Sequence, residues 1–239
     1  MAPDVPGAAY RLRIFTPEAE LPFAGHPSIG AAWVLARRGA IGPGQVVQSC
    51  GEGLLPLEVG VDGGPVTLTG GTPSCGPVRD PGALLAGVGL TGADLAGTAR
   101  DASCGLGFTV LPVVPGALDR LRIDLAALRR LDLGNGGAFG GLDVVSWDGS
   151  LARSRVFAFE AGVAEDPATG SAALALGAYL VTCGLLPPEG ETAYDVVQGV
   201  EMGRPSRLSC SVTALAGAAV LCRVTGSVVP VATGRIRRP

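Results

Sequence analysis

The chain has 239 residues, of which 47% are hydrophobic and 16% charged, and its formal net charge is −3. This composition excludes a disordered chain and predicts a globular protein with a sizeable core. The slight acidic excess and the lack of a basic run argue against nucleic acid and against a membrane surface as partners.

All 18 basic residues are arginine, and this excludes chemistry that needs a lysine. The sequence can supply neither a lysine Schiff base of the pyridoxal-phosphate type nor the lysine of a Walker A motif. No GxGxxG stretch follows a predicted strand, and the one histidine has no close partner with zinc-ligand spacing. We therefore expect no cofactor and no metal.

The six cysteines are scattered and form no CxxC pair, which predicts free, buried thiols in a reducing compartment. No stretch of about 18 uncharged apolar residues predicts a membrane span. The first residues, MAPDVPGAAYRLRIF, lack the charged head and apolar middle of a signal peptide. The predicted location is the cytoplasm.

In chain order, the first half begins with a predicted strand, YRLRIF. A Pro/Gly-rich loop leads to a helix from Pro27 to Arg38, which Gly39 ends. After strands VVQSC, LPLEVGV and PVTLTG, the stretch PGALLAGVGLTGADLAG predicts a short helix. Leucines at helical spacing from Ala117 to Asp132 predict an amphipathic surface helix between strands FTVLPVV and LDVVSW.

The second half continues with strand SRVFAF and a helix from Ser171 to Cys183, which Gly184 ends. This helix is apolar nearly all round, so we expect it to be buried on every side, as inside a curled sheet. Strands RLSCSVTAL and AVLCRVTGSVVPVATG complete the pattern.

Two stretches of the chain share one pattern. When Gly25 is placed over Gly170, GHPSIGAAWVLARRGAI lies over GSAALALGAYLVTCGLL without a gap, at an offset of 145 positions. Upstream, RIFTPEAELP lies over RVFAFEAGVAEDP, with three extra residues in the second copy. We interpret the pair as a duplication, and the alternative is a chance similarity of two apolar helices.

The repeat predicts an α+β fold of two pseudo-symmetric half-domains, residues 1–100 and 101–239, each a curled sheet around a central helix. Only 14 residues precede Phe15, whereas a strand and the predicted helix 117–132 precede the motif of the second half. We expect the first half to be incomplete, short by one strand and one helix. The sheet edge and helix left uncovered would favour self-association.

Pseudo-twofold packing would bring the two loops and both helix N-termini to one cleft, where a carboxylate or an oxyanion is favoured. His26 would face Glu165 and Asp166 across it, and acid/base groups on opposite walls suit proton removal and return. This indicates isomerase or racemase chemistry. Simpler roles stay open, since Asp166 or Ser171 could cap the helix. Glu20 is expected to brace its loop.

Three stretches in this order, RIFTPEAELPFAGHPSIGAA, EDPATGSAA and QGVEMGRPSRL, resemble the PhzF family of phenazine-biosynthesis-type isomerases. The resemblance runs from Tyr10 to Gly234. It implies a diaminopimelate-epimerase-like fold, a homodimer, and acid/base chemistry without a cofactor. The PhzF enzyme isomerises dihydro-3-hydroxyanthranilate by moving hydrogen between ring carbons.

The resemblance also implies site residues. Asp166 and His26 would be the catalytic acid/base groups. The residues expected to contact the substrate are Gly25, Glu165, Gly170 and Ser171. The related epimerases use a pair of cysteines in these loops, whereas Ala24 and Thr169 stand at the matching positions here. A two-thiol epimerase is therefore excluded.

Family members carry a further strand, a helix and an Asn-Leu-Ser-Glu-Thr-type segment before this point, and its glutamate is their principal acid/base. The nine residues before Tyr10 contain no such segment. Three explanations stay open: a misassigned or truncated start, a missing piece supplied by a separate N-terminal fragment or partner subunit, or a real loss of the glutamate.

The expected function is a cofactor-independent isomerase that moves a proton between carbons of a small cyclic or amino carboxylic acid in secondary metabolism. Two alternatives remain: a non-catalytic binding or assembly subunit on the same fold, and a lyase or cyclase that needs a single base. The expected partners are the acid and a second copy of the chain, with a separate N-terminal fragment as a further candidate.

Overall fold

The computed structural model of the chain describes residues 5–16, 20–133, 140–159 and 162–234. The strands are β1 (Tyr10–Arg11), β2 (Ile14–Phe15), β3 (Glu20–Leu21), β4 (Gly44–Cys50), β5 (Gly53–Val59), β6 (Val66–Thr69), β7 (Ser74–Val78), β8 (Arg100–Ser103), β9 (Gly107–Pro112), β10 (Gly141–Trp147), β11 (Leu151–Ala158), β12 (Val163–Asp166), β13 (Gly190–Gln198), β14 (Ser206–Leu215) and β15 (Ala218–Gly226). The helices are α1 (Gly25–Arg37), α2 (Pro81–Gly87), α3 (Leu125–Leu128) and α4 (Gly170–Thr182).

One mixed sheet of thirteen strands runs through the described part of the chain, and β2 and β3 form a separate two-stranded ribbon. The order is β1-β4-β5-β6-β15-β14-β13-β11-β10-β9-β8-β7, and β12 pairs with β11. The pair β6–β15 lies between two similar arrangements. On one side, β5 and β4 continue the sheet antiparallel, and β1 then pairs parallel with β4. On the other side, β14 and β13 continue it antiparallel, and β11 then pairs parallel with β13. The predicted α+β class is confirmed, and the division of the chain near residue 100 stays a prediction.

Helix α4 is the centre of the core. Its residues from Gly170 to Val181 are all buried, as its apolar pattern predicts. It packs against β14 and β15, and also against β7, β8 and β9 from the other end of the sheet order. The sheet therefore curls around the helix. Gly184, with a φ of 68°, lies just beyond the helix, as predicted for its terminating glycine.

Helix α1 is covered on one side only. Ser28, Ile29, Ala32 and Trp33 are buried, and the helix packs on β5 and β6. Its other side is open, and Val34 is 38% exposed there. The two central helices of the repeat therefore differ in how completely the sheet encloses them.

The predicted helix from Ala117 to Asp132 is wrong. A 3-10 turn at Leu118–Arg120 is followed by extended chain and the short helix α3. The amides of Arg122 and Asp124 donate to carbonyls at the end of α2, Arg122 to Val88 at 2.9 Å and Asp124 to Gly87 at 2.8 Å. These bonds hold the segment extended, so its leucines reach a second core beneath β9 and β10 without forming a helix.

The predicted strands all overlap observed ones, although YRLRIF divides into β1 and β2 and the last strand ends at Gly226. No predicted strand covers β3, β7, β8, β12 or β13. All six cysteines are free thiols, and Cys104, Cys210 and Cys222 are buried. No helix in the described part of the chain is long and apolar enough to cross a membrane.

Candidate active site

A pocket of about 300 Å³ lies where the two repeated loops meet. It takes residues from both halves of the repeat and includes five of the six predicted site residues, namely Gly25, His26, Asp166, Gly170 and Ser171. The lining consists of Ile14, Phe15, Thr16, Leu21, Phe23, Ala24, Gly25, His26, Pro27, Leu106, Phe108, Ala158, Val163, Asp166, Thr169, Gly170 and Ser171. The loops therefore form one site, as the repeat predicts.

The starts of α1 and α4 touch at the residues that the repeat aligns. A Cβ added to Gly25 would lie 3.0 Å from the Cα of Gly170, and one added to Gly170 would lie 3.3 Å from the Cα of Gly25. A residue in contact with its own repeat partner lies close to the pseudo-twofold axis. The absence of a side chain at both positions lets the two helix starts approach each other at the pocket wall.

Neither helix start is capped by a side chain. The N-cap residues are Ala24 and Thr169, neither accepts a capping hydrogen bond, and both first turns lack an acidic residue. The first amides of both helices, which have no intrahelical acceptor, therefore suit a carboxylate or an oxyanion. The alternative that Asp166 or Ser171 is the N-cap is wrong, because Thr169 holds that position.

Two equivalent Arg–Glu pairs brace the loops. Arg155 donates to Glu165 through Nε and Nη2, both at 2.8 Å. Arg13 binds Glu20 in the same way, at 2.8 and 2.7 Å. Each arginine also lies over the ring two residues later, Arg13 over Phe15 and Arg155 over Phe157. The predicted bracing role of Glu20 agrees with this geometry, and Glu165 is its structural counterpart.

The two neighbouring carboxylates, Glu165 and Asp166, lie in different surroundings. Glu165 and Asp166 are neighbours on β12, and successive side chains of a strand point to opposite faces. Only Asp166 lines the pocket, while Glu165 is turned to Arg155. Contact between Glu165 and the substrate stays a prediction, and the pairing with Arg155 favours a bracing role instead. The first half repeats the arrangement, with Leu21 in the position of Asp166 and on the pocket wall.

Asp166 is held by its own loop. The hydroxyl of Thr169 donates to Asp166 Oδ2 at 2.7 Å. Beneath the loop, the side-chain amide of Gln198 binds the backbone of both Asp166 and Thr169. Sequence reasoning assigned no role to Thr169 or Gln198. The signal for Gln198 was its place at the start of the third motif, QGVEMGRPSRL.

His26 and Ser171 face the pocket from corresponding positions, each the second residue of its helix. His26 is exposed and also borders a wider open groove lined by Arg204 and Arg207, whereas Ser171 is only 4% exposed. The pocket thus presents an imidazole beside one helix start and a hydroxyl beside the other. With Asp166, these are the polar side chains for proton transfer and for binding an acid.

The remaining walls are mostly apolar and include residues that sequence reasoning missed, namely Leu21, Phe23, Leu106 and Phe108. Phe23 and Phe108 are each 1% exposed, so they form the rigid base of the pocket. Apolar walls keep water away and strengthen the interaction between a bound anion and the helix amides. The site suits a small, partly apolar molecule with a carboxylate.

The model of one protein family, described as phenazine biosynthesis-like protein, matches residues 3–234. The chain belongs to this phenazine biosynthesis-like family. An uncharacterized isomerase of Mesorhizobium japonicum is 32% identical, over 99% of this chain and 82% of that protein. A trans-2,3-dihydro-3-hydroxyanthranilate isomerase of Pseudomonas aeruginosa is also 32% identical, over 94% of this chain and 78% of that enzyme.

Solved structures place this family member in the expected fold. A predicted epimerase from Pseudomonas aeruginosa matches with a TM-score of 0.74 and 34% identity, over 95% of this chain and 78% of that one. A PhzF-family phenazine biosynthesis protein of Bacillus anthracis matches with a TM-score of 0.78 over 91% of this chain and 77% of that one. Its identity is 22%, so this likeness shows the fold alone.

Proposed function

We propose that this protein is an isomerase that moves a proton between two carbons of a small carboxylic acid without a cofactor. The observation that carries the proposal is that Asp166 and His26, from opposite halves, line one largely apolar pocket where two uncapped helix starts meet. The names of the related isomerases support this class of reaction.

Asp166 and His26 act as the acid/base groups. Asp166 takes a proton from a carbon of the substrate: the C–H bond breaks, an O–H bond forms, and the electron pair enters the conjugated system of the substrate. A proton is then returned to a second carbon by Asp166 or by His26. Substrate and product have the same atoms, so the reaction consumes no other reactant.

The substrate carboxylate binds at the helix starts. The backbone amides of Gly25 and Gly170 and the hydroxyl of Ser171 surround this end of the pocket. The apolar walls then hold the carbon skeleton beside Asp166. We propose a cyclic or amino carboxylic acid of the kind named for the Pseudomonas relative, used in secondary metabolism.

The test is turnover of trans-2,3-dihydro-3-hydroxyanthranilate followed by proton NMR, with the wild type, Asp166→Asn and His26→Gln. Loss of a general acid/base group costs about 10²- to 10⁴-fold in rate. We expect a fall in kcat of that size for Asp166→Asn and a measurable fall for His26→Gln. Wild-type kcat in Asp166→Asn would overturn the role of Asp166. Tight binding of the acid without turnover by the wild type would favour a binding protein.

A further inference from the structure

Gln198 is a buried polar residue directly beneath the catalytic loop. It is the last residue of β13 and is 1% exposed. Its Oε1 accepts from the Thr169 amide at 3.0 Å, and its Nε2 donates to the Asp166 carbonyl and, at 2.8 Å, to Thr169 Oγ1. One side chain therefore joins both ends of the turn that carries Asp166.

The orientation of the Gln198 amide follows from its partners. A backbone N–H can only donate, so the atom facing the Thr169 amide must be the oxygen. A backbone carbonyl can only accept, so the atom facing Asp166 O must be the nitrogen. Rotating the amide by half a turn would lose both bonds.

This orientation also directs the hydroxyl proton of Thr169. The hydroxyl accepts a hydrogen bond from Gln198 Nε2, and it has a single proton to donate. That proton goes to Asp166 Oδ2, at 2.7 Å. Oδ2 therefore remains an acceptor whether or not the carboxyl group carries a proton.

We propose that Gln198 and Thr169 are positioning residues that make Oδ1 of Asp166 the oxygen that exchanges the proton with the substrate. When the substrate C–H bond breaks, the new O–H bond forms at Oδ1, while Oδ2 keeps the hydrogen bond from Thr169. The carboxyl group cannot turn without breaking that bond. This inference rests on the proposed function, in which Asp166 is an acid/base group.

We call the hydrogen-bonded series Gln198, Thr169 and Asp166 the relay. The first half of the chain has none of these three residue types at the equivalent positions. Pro22 and Pro167 are equivalent in the repeat. A Cβ added to Gly51 would lie 2.7 Å from Pro22 Cα, and one added to Gly199 would lie 2.9 Å from Pro167 O, so the two glycines correspond. The residues in the relay positions of the first half are Cys50 for Gln198, Ala24 for Thr169 and Leu21 for Asp166. The glutamine and the hydroxyl thus occur only in the half that carries the carboxylate.

The kinetic test compares Gln198→Leu, Thr169→Val and Thr169→Ser under the assay of the proposed function. A displaced catalytic group costs up to about 10²-fold in rate. We expect kcat to fall at least tenfold in Gln198→Leu and in Thr169→Val, with KM changed less than about threefold because the helix amides and Ser171 bind the carboxylate. Thr169→Ser keeps the hydroxyl and should retain near wild-type kcat. Wild-type kcat in Thr169→Val, which keeps the shape of threonine, would overturn the inference.

Gln48→Leu is the matched control for loss of a buried glutamine. Gln48 is 0% exposed and binds Tyr10 and Ser28, and among the described residues it contacts no carboxylate. We expect its kcat to stay within about threefold of wild type, since no catalytic group depends on it directly. An equal fall in kcat for Gln48→Leu and Gln198→Leu would show a general loss of structure and would contradict the positioning role.

A second measurement is independent of turnover. Hydrogen exchange of the Thr169 amide should be at least tenfold faster in Gln198→Leu than in wild type, and unchanged in Gln48→Leu. Unchanged exchange in Gln198→Leu would overturn the relay itself. Activity that survives Asp166→Asn would instead refute the proposed function. Activity that needs Asp166 but neither Gln198 nor Thr169 would refute this inference alone.

Discussion

At the scale of single residues, the two Arg–Glu pairs have the same geometry but differ in how far they are exposed to solvent. The side chains of Arg13 and Glu20 are each 44% exposed, whereas those of Arg155 and Glu165 are 12% and 18% exposed. Solvent weakens an exposed pair much more than a half-buried one. Arg155 also donates to the Leu118 carbonyl at 3.0 Å, so the inner pair ties β11 to the segment before α3.

Glu165→Gln should therefore lower stability without affecting catalysis. Losing a hydrogen-bonded partner of a half-buried charge costs about 1–3 kcal/mol. We expect a loss of that size in the free energy of unfolding in urea, with kcat and KM close to wild type. Glu20→Gln is the matched control and should have a smaller effect. A large rise in KM with unchanged stability would restore Glu165 as a substrate ligand.

The sequence predicted the site residues that can be recognised by their position in a repeated motif. It missed the roles that follow from the direction in which a side chain points. Gly25, His26, Asp166, Gly170 and Ser171 all line the pocket, and each could be found from the repeat. The unforeseen pairing of Glu165 with Arg155 and the omission of Gln198 have one physical cause. Which face of a strand a side chain takes follows from strand pairing, and neither β12 nor β13 was identified as a strand.

At the scale of elements, the contact between α1 and α4 decides whether the pocket keeps its shape. A methyl group at Gly25 would have its carbon 3.0 Å from the Cα of Gly170, which is backbone and has no rotamer to change. The two helix starts would have to separate. The first amides of α1 and α4 would then no longer point at the same position in the pocket.

Gly25→Ala should reduce both stability and activity. We expect a loss of about 1–3 kcal/mol, typical of overpacking, and a rise in KM from the displaced amides. Gly30→Ala on the same helix is the control, because a Cβ there meets nothing within 4 Å. In a helix interior it should stabilise by about 0.5–1 kcal/mol. Thermal unfolding and KM measure both. Equal behaviour of the two variants would contradict a functional contact at Gly25.

A buried carboxyl group joins β10 and β11. Asp143 is 1% exposed and accepts a hydrogen bond from the Ser154 hydroxyl. Burial raises the pKa of Asp143 to about 7, and the bond from Ser154 opposes this only in part. Because the unfolded chain ionises at lower pH than the folded one, this group weakens folding as pH rises from about 4 to 7.

Asp143→Asn should remove that pH dependence. The amide oxygen can still accept from Ser154, and no charge has to be buried. The variant should match wild type near pH 4 and exceed its stability above pH 7 by up to roughly 4 kcal/mol, since each pKa unit corresponds to about 1.4 kcal/mol. Urea denaturation at a series of pH values measures the difference. Parallel stability profiles for the two proteins would contradict a raised pKa.

The helix predicted over residues 117–132 shows where periodicity fails at this scale. Leucines at helical spacing predict an amphipathic helix, but Leu118 and Leu128 are buried in a largely extended segment. Asp124 accepts from the Ala127 amide at 2.9 Å and so starts the short helix α3 in the middle of the pattern. The pairing of this segment with the end of α2 is a long-range contact that no local pattern contains.

At the scale of the whole molecule, one continuous sheet holds the two loops in register. Through the β6–β15 pair, Leu68 lies opposite Val224, so strands from both ends of the chain share the sheet that carries α1 and α4. The pseudo-twofold arrangement, predicted from an offset of 145 residues, is what brings His26 and Asp166 to one pocket. Association into a homodimer stays a prediction, and the half-covered α1 is the surface on which it depends.

The most direct test of proton transfer at this pocket is turnover in heavy water. With trans-2,3-dihydro-3-hydroxyanthranilate as the substrate, we expect wild-type protein to form an isomer that carries one solvent deuteron at the newly protonated carbon, seen by NMR and mass spectrometry. Asp166→Asn should incorporate none above background. An isomer formed without deuterium would point to transfer without solvent exchange, and one formed with equal deuterium by Asp166→Asn would contradict the central claim.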